Sequence, residues 1–389
     1  MKLLIDSVLV ASPGGLQLQQ ELAKASARRR PQGAEVVLLV GKGGQAMPPV
    51  DGLRVVEAAR PGAVLGRFKW FYRELPRLIR QERADVIYSL SGFVTQAMLR
   101  TAGVVTTVNN MVPFTPRMNE QYSLLSKERM RNELLRRIYR RGVRDADAVV
   151  LHSQHALTQL TTAAGKLSFK TEVVLTGMPA SIRFDPASPP PHPYEGKPFF
   201  FYLSAMQRYK NHPTLIEGYR LALEESGGDF PDLVIAGIPA DTEYVRTVKA
   251  AIRVSGVETR CRYIPAMAVT EIPAHLHHAQ ANYFPSLCET NSVVQAEILG
   301  VHGVMACSNI PPMNEIAGDA AYLFDPESPR AIADSMKRLA TDEDLRSSLR
   351  RRAAKRADSF SWDECGEAIW RMATLATDAF KKRRGHIGV

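Results

Sequence analysis

Short apolar runs alternate along this chain with longer segments in which apolar side chains recur every three or four positions. A short run bounded by turn residues reads as a buried strand, and the longer period reads as a helix with one face inward. In the first half the runs fall at Lys2–Val10, Glu35–Val40, Leu53–Glu57, Val86–Ser89, Val104–Val108 and Ala148–His152. Helical patterns lie between them around Gln17–Arg28, Phe68–Gln81 and Lys127–Arg141. The second half restarts with Phe199–Leu203 and continues with Leu233–Ala236, Cys261–Ile264, Asn282–Phe284 and Val304–Cys307, with a helical pattern opening at Pro213. Strands alternating with helices imply parallel sheets joined by right-handed crossovers. Between the halves, Pro189-Pro-Pro-His-Pro193 predicts a stiff linker that cannot sit inside either sheet.

Length agrees with a division in two, since 389 residues exceed what one core supports. With 45% hydrophobic and 23% charged residues the chain is globular, not disordered. No apolar run reaches the roughly 18 residues that span a bilayer. The N-terminus resembles a signal peptide only superficially, because Asp6 interrupts the apolar run and Gly14-Gly15 leads into Gln-rich helical sequence; a first strand is expected there. Cys261, Cys288, Cys307 and Cys365 lack metal-ligand spacing and read as reduced thiols of a cytosolic protein.

Candidate chemistry concentrates between Pro285 and Gly300. Glu289 follows the apolar run Ala281–Phe284, and Glu297 lies eight positions on, inside the helical pattern that comes next. Two carboxylates so placed can face one crevice at the carboxyl edge of a sheet, where open α/β sheets bind ligands. As acceptors only, they suit a ligand rich in hydroxyls, such as a sugar and a ribose; a solvated acidic pair at a helix start is the plainer alternative. A second candidate is Ser204-Ala-Met-Gln-Arg-Tyr-Lys-Asn211, between a strand and a helical pattern. Such junctions favour anions, and Lys210 with Arg208 would add charge for a diphosphate. A basic loop that aids solubility would look the same.

The Glu289–Glu297 segment resembles the E-x7-E signature of the retaining glycosyltransferases with two facing Rossmann-like domains (the GT-B fold), family 4 in particular. Ala306–Pro326 resembles the strand, loop and helix that follow the motif in that family, and Val173–Pro186 its inter-domain stretch. Ser359–Trp370 resembles its closing helix, which crosses back onto the N-terminal domain. The resemblance implies an acceptor-binding domain over residues 1–180, a linker over 181–197 and a nucleotide-sugar-binding domain over 198–360. The closing helix and a basic tail would occupy 361–389.

By the same resemblance, Glu297 would hold ribose hydroxyls and Glu289 the donor sugar, with Lys210 and Arg208 acting on the leaving diphosphate. The family arginine five positions before the lysine is replaced here by Ala205. Thr290, Asn291 and Ser292 stand where many members have Gly, an aromatic and Gly, on the turn nearest the donor. Ala266 and Met267, in Tyr263–Met267, would border the nucleobase, and Gly14 and Gly15 would form the glycine loop of the first domain. Asn109 and Asn110 end a strand where many members place a histidine; they would contact acceptor hydroxyls, or simply form a turn. No cofactor and no metal are implied, the donor being a nucleotide diphosphate sugar and the transferred group a hexose, mannose-like. A nucleotide-sugar epimerase of the same architecture and a non-catalytic glycan-binding subunit are the alternatives.

Charge adds a partner. The chain carries +10, with much of the excess in Lys127–Arg141, where Arg136, Arg137, Arg140 and Arg141 flank Leu134, Leu135 and Ile138. A second helix carries Lys69, Arg73, Arg77, Arg80 and Arg83 beside Trp70 and Phe71. Basic faces with apolar neighbours suit an anionic membrane, each cation contributing about 1 kcal/mol near the surface; a solvated basic face is equally compatible. No nucleic-acid-binding motif accompanies the charge. The expected setting is the cytoplasm, peripheral on the inner face of the cytoplasmic membrane, with a glycan or lipid-linked acceptor.

Overall fold

The computed structural model describes residues 1–43, 47–62, 64–120, 122–123, 126–165, 170–178, 182 and 188–385. They form two compact units, Met1–Gly177 with Ser361–Val389, and Met178–Phe360. The first is built on seven parallel strands: β1 (Lys2–Asp6), β2 (Glu35–Gly41), β3 (Leu53–Ala58), β4 (Val86–Ser89), β5 (Gly103–Thr106), β6 (Ala148–Leu151) and β7 (Lys170–Val173). Their spatial order is β3-β2-β1-β4-β5-β6-β7, so the winding reverses between β1 and β4. β1 stops at Asp6 rather than Val10, where the Asp6 carboxylate accepts the amide of Val8 at 3.3 Å and turns the chain. β7 escapes the hydrophobic pattern because an edge strand need not be apolar on both faces.

The helix expected over Phe68–Gln81 begins earlier, at Val64–Lys69. It passes through one wide turn at Trp70–Glu74, where the Leu75 amide reaches back five residues to the Trp70 carbonyl, and resumes as Leu75–Gln81. Pro76 has no N–H to return to the preceding turn and its ring crowds the carbonyl four residues back; a π-turn relieves both. Trp70 and Phe71, placed on the basic face from sequence, are instead buried in the first unit.

The second unit holds six parallel strands: β8 (Phe199–Leu203), β9 (Asp232–Ala236), β10 (Cys261–Ile264), β11 (Ala281–Phe284), β12 (Met305–Ser308) and β13 (Ala321–Phe324). Their order, β10-β9-β8-β11-β12-β13, reverses between β8 and β11. The turns after β8 and β9 nearly touch: a Cβ on Gly237 would lie 1.6 Å from the Ser204 carbonyl oxygen. The proline segment is fastened to this unit. His278 Nε2 donates to the Pro190 carbonyl at 2.6 Å, and the Tyr194 hydroxyl meets His275 Nε2 at 3.0 Å.

The final helix, Trp362–Gly385, belongs to the first unit. The Trp370 indole donates to the Ser26 carbonyl at 2.7 Å, and the Cys365 thiol to the Leu175 carbonyl at 2.9 Å. Arg371 pairs with Glu172, and Arg383 with Asp147. Its axis comes close to the helix Pro13–Arg28 because position 366 lacks a side chain: a Cβ there would lie 2.6 Å from the Ala25 carbonyl oxygen. Gly366→Ala should therefore destabilise the first unit by about 1–3 kcal/mol through overpacking. Trp70, Trp362 and Trp370, the only tryptophans of the chain, all lie in that unit. Denaturant unfolding followed by tryptophan fluorescence therefore reports it selectively, and an unchanged midpoint would show that the two helices are not in close contact.

Candidate functional site

After β8 the chain runs through Ser204 into a short 3-10 turn, Arg208–Lys210. Asn211 then takes a left-handed conformation (φ 60°) and the helix His212–Ser226 begins. Asparagine tolerates that region because its short side chain bonds locally. Here its amide donates to the Pro326 carbonyl at 2.7 Å and its oxygen accepts from the Thr214 hydroxyl at 2.6 Å. The turn is held from beneath: the Tyr202 hydroxyl donates to the Lys210 carbonyl at 2.7 Å, and the Leu287 amide to the Tyr209 carbonyl at 2.8 Å. His212 is buried against Ser204 (3.0 Å) and the Tyr244 hydroxyl. Burial, and secondarily the Lys210 charge, lower its pKa to about 3, so it is neutral.

This scaffold directs Lys210 across the sheet to Glu289. Lys210 Nζ lies 2.5 Å from Glu289 Oε1, with both side chains largely buried. The ammonium is also 5.1 Å from the ring centroid of Phe284, at the end of β11, and 5.2 Å from that of Tyr209. The two residues come from the carboxyl ends of β8 and β11, the strands flanking the reversal, where open α/β sheets form a ligand crevice. Their pairing is more direct than sequence suggested, where each was assigned separately to the ligand.

From Glu289 the chain passes buried Thr290 and half-buried Asn291 to Ser292, whose hydroxyl accepts the Gln295 amide at 3.2 Å and caps the helix Val293–Gly300. Ser292 is thus a helix cap as well as part of the donor turn. Within the helix, Gln295 is anchored to the Met313 carbonyl at 3.0 Å. Glu297 is buried, and among the described residues its carboxylate has no hydrogen-bond partner. Burial alone raises its pKa to about 7. A buried carboxyl poised near neutrality is a mark of functional sites.

The remaining sequence candidates are dispersed. Arg208 points to the start of the next helix, 3.4 Å from Glu243, and does not join the Lys210–Glu289 pair. Ala266 and Met267 lie in the accessible loop after β10, at the same carboxyl edge of the second sheet. Gly14 and Gly15, expected in a loop, form the first turn of Pro13–Arg28 instead: Ser12 accepts the Gly15 amide at 3.2 Å, and Pro13 opens the helix. Asn110 closes a turn by accepting the Val112 amide at 3.1 Å, and the exposed Asn109 donates to the Leu90 carbonyl at 3.3 Å. Among the described residues no group of three or more His, Cys, Asp or Glu is placed to hold a metal.

One residue was overlooked. Asp6 ends β1, beside the reversal of the first sheet, and is buried with a pKa raised by desolvation to about 6. In sequence it was only a break in an apolar run; a carboxylate ending a central strand of a parallel sheet was the available signal.

Comparison with known proteins accounts for both units. Residues 18–181 match the family model Glycosyltransferase Family 4, and residues 185–356 match Glycosyl transferases group 1. O-antigen chain mannosyltransferase B of Escherichia coli is 25% identical over 169 residues, 43% of this chain. D-inositol 3-phosphate glycosyltransferase of Corynebacterium glutamicum is 24% identical over 164 residues, 41% of this chain. These alignments span 43% and 39% of the two relatives' own lengths. Among solved structures, sucrose-phosphate synthase of Thermosynechococcus elongatus superposes with a TM-score of 0.76 at 14% identity, over 97% of this chain and 100% of that one. Anabaena HepE in complex with UDP and glucose gives 0.69 at 16%, over 96% and 99%.

Glu297 makes a pH-dependent contribution to stability. Its folded pKa of about 7 lies above the ordinary 4.5, so the folded state binds this proton more tightly. That contribution is complete below the ordinary value and is lost as pH rises through about 7. Glu297→Gln should therefore stabilise the protein at pH above 8 by up to about 3 kcal/mol, with the gain fading under acid conditions. Thermal unfolding of both proteins across pH checks this; a gain independent of pH would show that Glu297 is ionised throughout.

Proposed function

Because this chain belongs to family 4 of the GT-B glycosyltransferases, we propose that it transfers a mannose-like hexosyl group from a nucleotide diphosphate sugar, with retention and without a metal. The acceptor in this reading is a growing, lipid-linked surface polysaccharide or lipopolysaccharide glycan, met at the inner face of the membrane. The likeness to an O-antigen chain mannosyltransferase supports the sugar and the glycan, and HepE solved with UDP-glucose supports the donor class.

The buried Lys210–Glu289 pair at the reversal of the second sheet carries the reading. Glu289 occupies one of the three donors of the ammonium and orients the others. Those remaining donors offset the charge that grows on the diphosphate as its bond to the anomeric carbon breaks, which is commonly the largest contribution to such catalysis. The acceptor oxygen bonds to that carbon on the same face, and its proton passes to the departing phosphate. Glu297, once ionised, accepts two hydroxyls of the ribose. Lys210 supplies the positive charge that a metal would otherwise bring.

Incubation with a panel of nucleotide sugars, reading diphosphate release, tests the proposal. Release should require acceptor and persist in EDTA. Release without acceptor would indicate epimerase-type chemistry, binding without turnover would indicate a glycan-binding subunit, and loss in EDTA restored by manganese would refute the metal-free route.

Lys210→Ala should lower turnover by about two orders of magnitude, the scale of losing one oxyanion donor, and Lys210→Arg should recover part of it. Turnover of the alanine variant within a few-fold of the parent would leave the lysine a purely structural partner of Glu289.

A further inference from the structure

The first unit exposes an apolar ridge that its own core leaves uncovered. Val64, Leu65, Phe68 and Tyr72 are 81%, 85%, 60% and 45% exposed, and the Phe68 and Tyr72 rings stack at 4.3 Å on the outside of the helix. Single exposed apolar residues need no explanation, but a contiguous group rimmed by polar residues marks an interaction site. The rim here is cationic: Arg67, Lys69 and Arg73 border the ridge, and Arg77 and Arg80 continue along the same helical stretch. Lys69 approaches Glu74 at 3.6 Å, whereas the four arginines have no carboxylate partner among the described residues.

A second helix lies alongside. Phe71 stacks on Phe93 at 4.6 Å, and Phe93 meets Tyr139 of Lys127–Asp145 edge-on at 6.5 Å. Burial raises the pKa of the Tyr139 hydroxyl, and the charges of Arg131 on its own helix and Arg67 on the first oppose that rise. Lys127–Asp145 adds exposed Met130 and Leu134. Its own arginines are less available than sequence suggested: Arg136 and Arg137 share Glu133, and Arg141 pairs with Asp145.

We propose that the Val64–Tyr72 ridge seats on an anionic lipid bilayer, its apolar side chains entering the headgroup–acyl boundary and Arg67, Arg73, Arg77 and Arg80 meeting lipid phosphates. The inference rests on the reading that the acceptor is lipid-linked, and it assigns the surface that would bring the chain to it. Charge selects the occupant. A second copy packed symmetrically on this face would set the same unpaired arginines against themselves. Anionic headgroups neutralise them while the ridge leaves water. Among the described residues no helix is long and apolar enough to cross a membrane, so the contact would be with its surface.

Flotation of the full chain with vesicles tests this, using phosphatidylcholine alone and phosphatidylcholine mixed with phosphatidylglycerol, at low and high salt. The parent should float with the mixed vesicles, lose binding as salt rises, and bind phosphatidylcholine alone about tenfold more weakly. Leu65→Ser with Phe68→Ser should cost about tenfold in partition, and Arg67→Gln with Arg73→Gln a similar factor. All four positions are exposed, so folding should persist, checked by unchanged tryptophan fluorescence. Equal flotation of parent and variants, equal binding to both vesicle types, or a dimer by light scattering without flotation would each overturn the proposal. Diphosphate release onto a soluble acceptor is read in parallel. Its failure with flotation intact sinks the catalytic reading alone, and the reverse outcome sinks only the membrane surface.

Discussion

An ammonium group largely withdrawn from water needs a counter-charge close by. Lys210 meets that requirement with Glu289 at 2.5 Å, a pairing that the second unit's architecture makes possible. The two residues are 79 positions apart and meet only because β8 and β11 are neighbours. Those strands are neighbours because the sheet is wound outward in both directions from β8. The turn carrying Lys210 is fixed on its underside by Tyr202, Asn211 and His212, and Glu289 is followed directly by the capped helix that buries Glu297. Removing either charge would strand the other in a site built to exclude water.

A different constraint organises the first unit. Its sheet is completed by a helix from the far end of the chain, so residues 1–177 lack a full core until Trp362–Gly385 is in place. Gly103 and Gly366 show how closely that helix lies, since a Cβ at either would meet backbone within 2.6 Å. The arrangement ties the first unit to a segment that follows the second, while the catalytic candidates Lys210, Glu289 and Glu297 belong wholly to the second.

Buried carboxyls recur at the carboxyl ends of both sheets: Asp6 as the last residue of β1 and Glu297 in the helix after β11, with pKa values raised to about 6 and about 7. In each case burial is the dominant cause. Such groups destabilise an empty protein at neutral pH, and a ligand that hydrogen-bonds the ionised form would offset that cost.

Much of this protein was legible in its sequence because the signals were local. Parallel strands buried on both faces must be apolar throughout, so β2, β4, β8, β9 and β11 stood out as runs. Glu289, Glu297 and Lys210 could be singled out because a strand end followed by a helix is a local pattern with known ligand-facing geometry. Other features depended on groups far apart in the chain. The edge strand β7, Lys-Thr-Glu-Val, is held by pairing to β6, not by its own apolarity. Gly14 and Gly15 became helix because Ser12 supplied a cap, and Arg208 turned to Glu243 while Lys210 reached Glu289. Trp70 and Phe71 went inward, where Phe71 stacks on Phe93, while Val64, Leu65, Phe68 and Tyr72 stayed outward. Periodicity specifies which residues share a face, but only the packing of distant elements decides what that face meets.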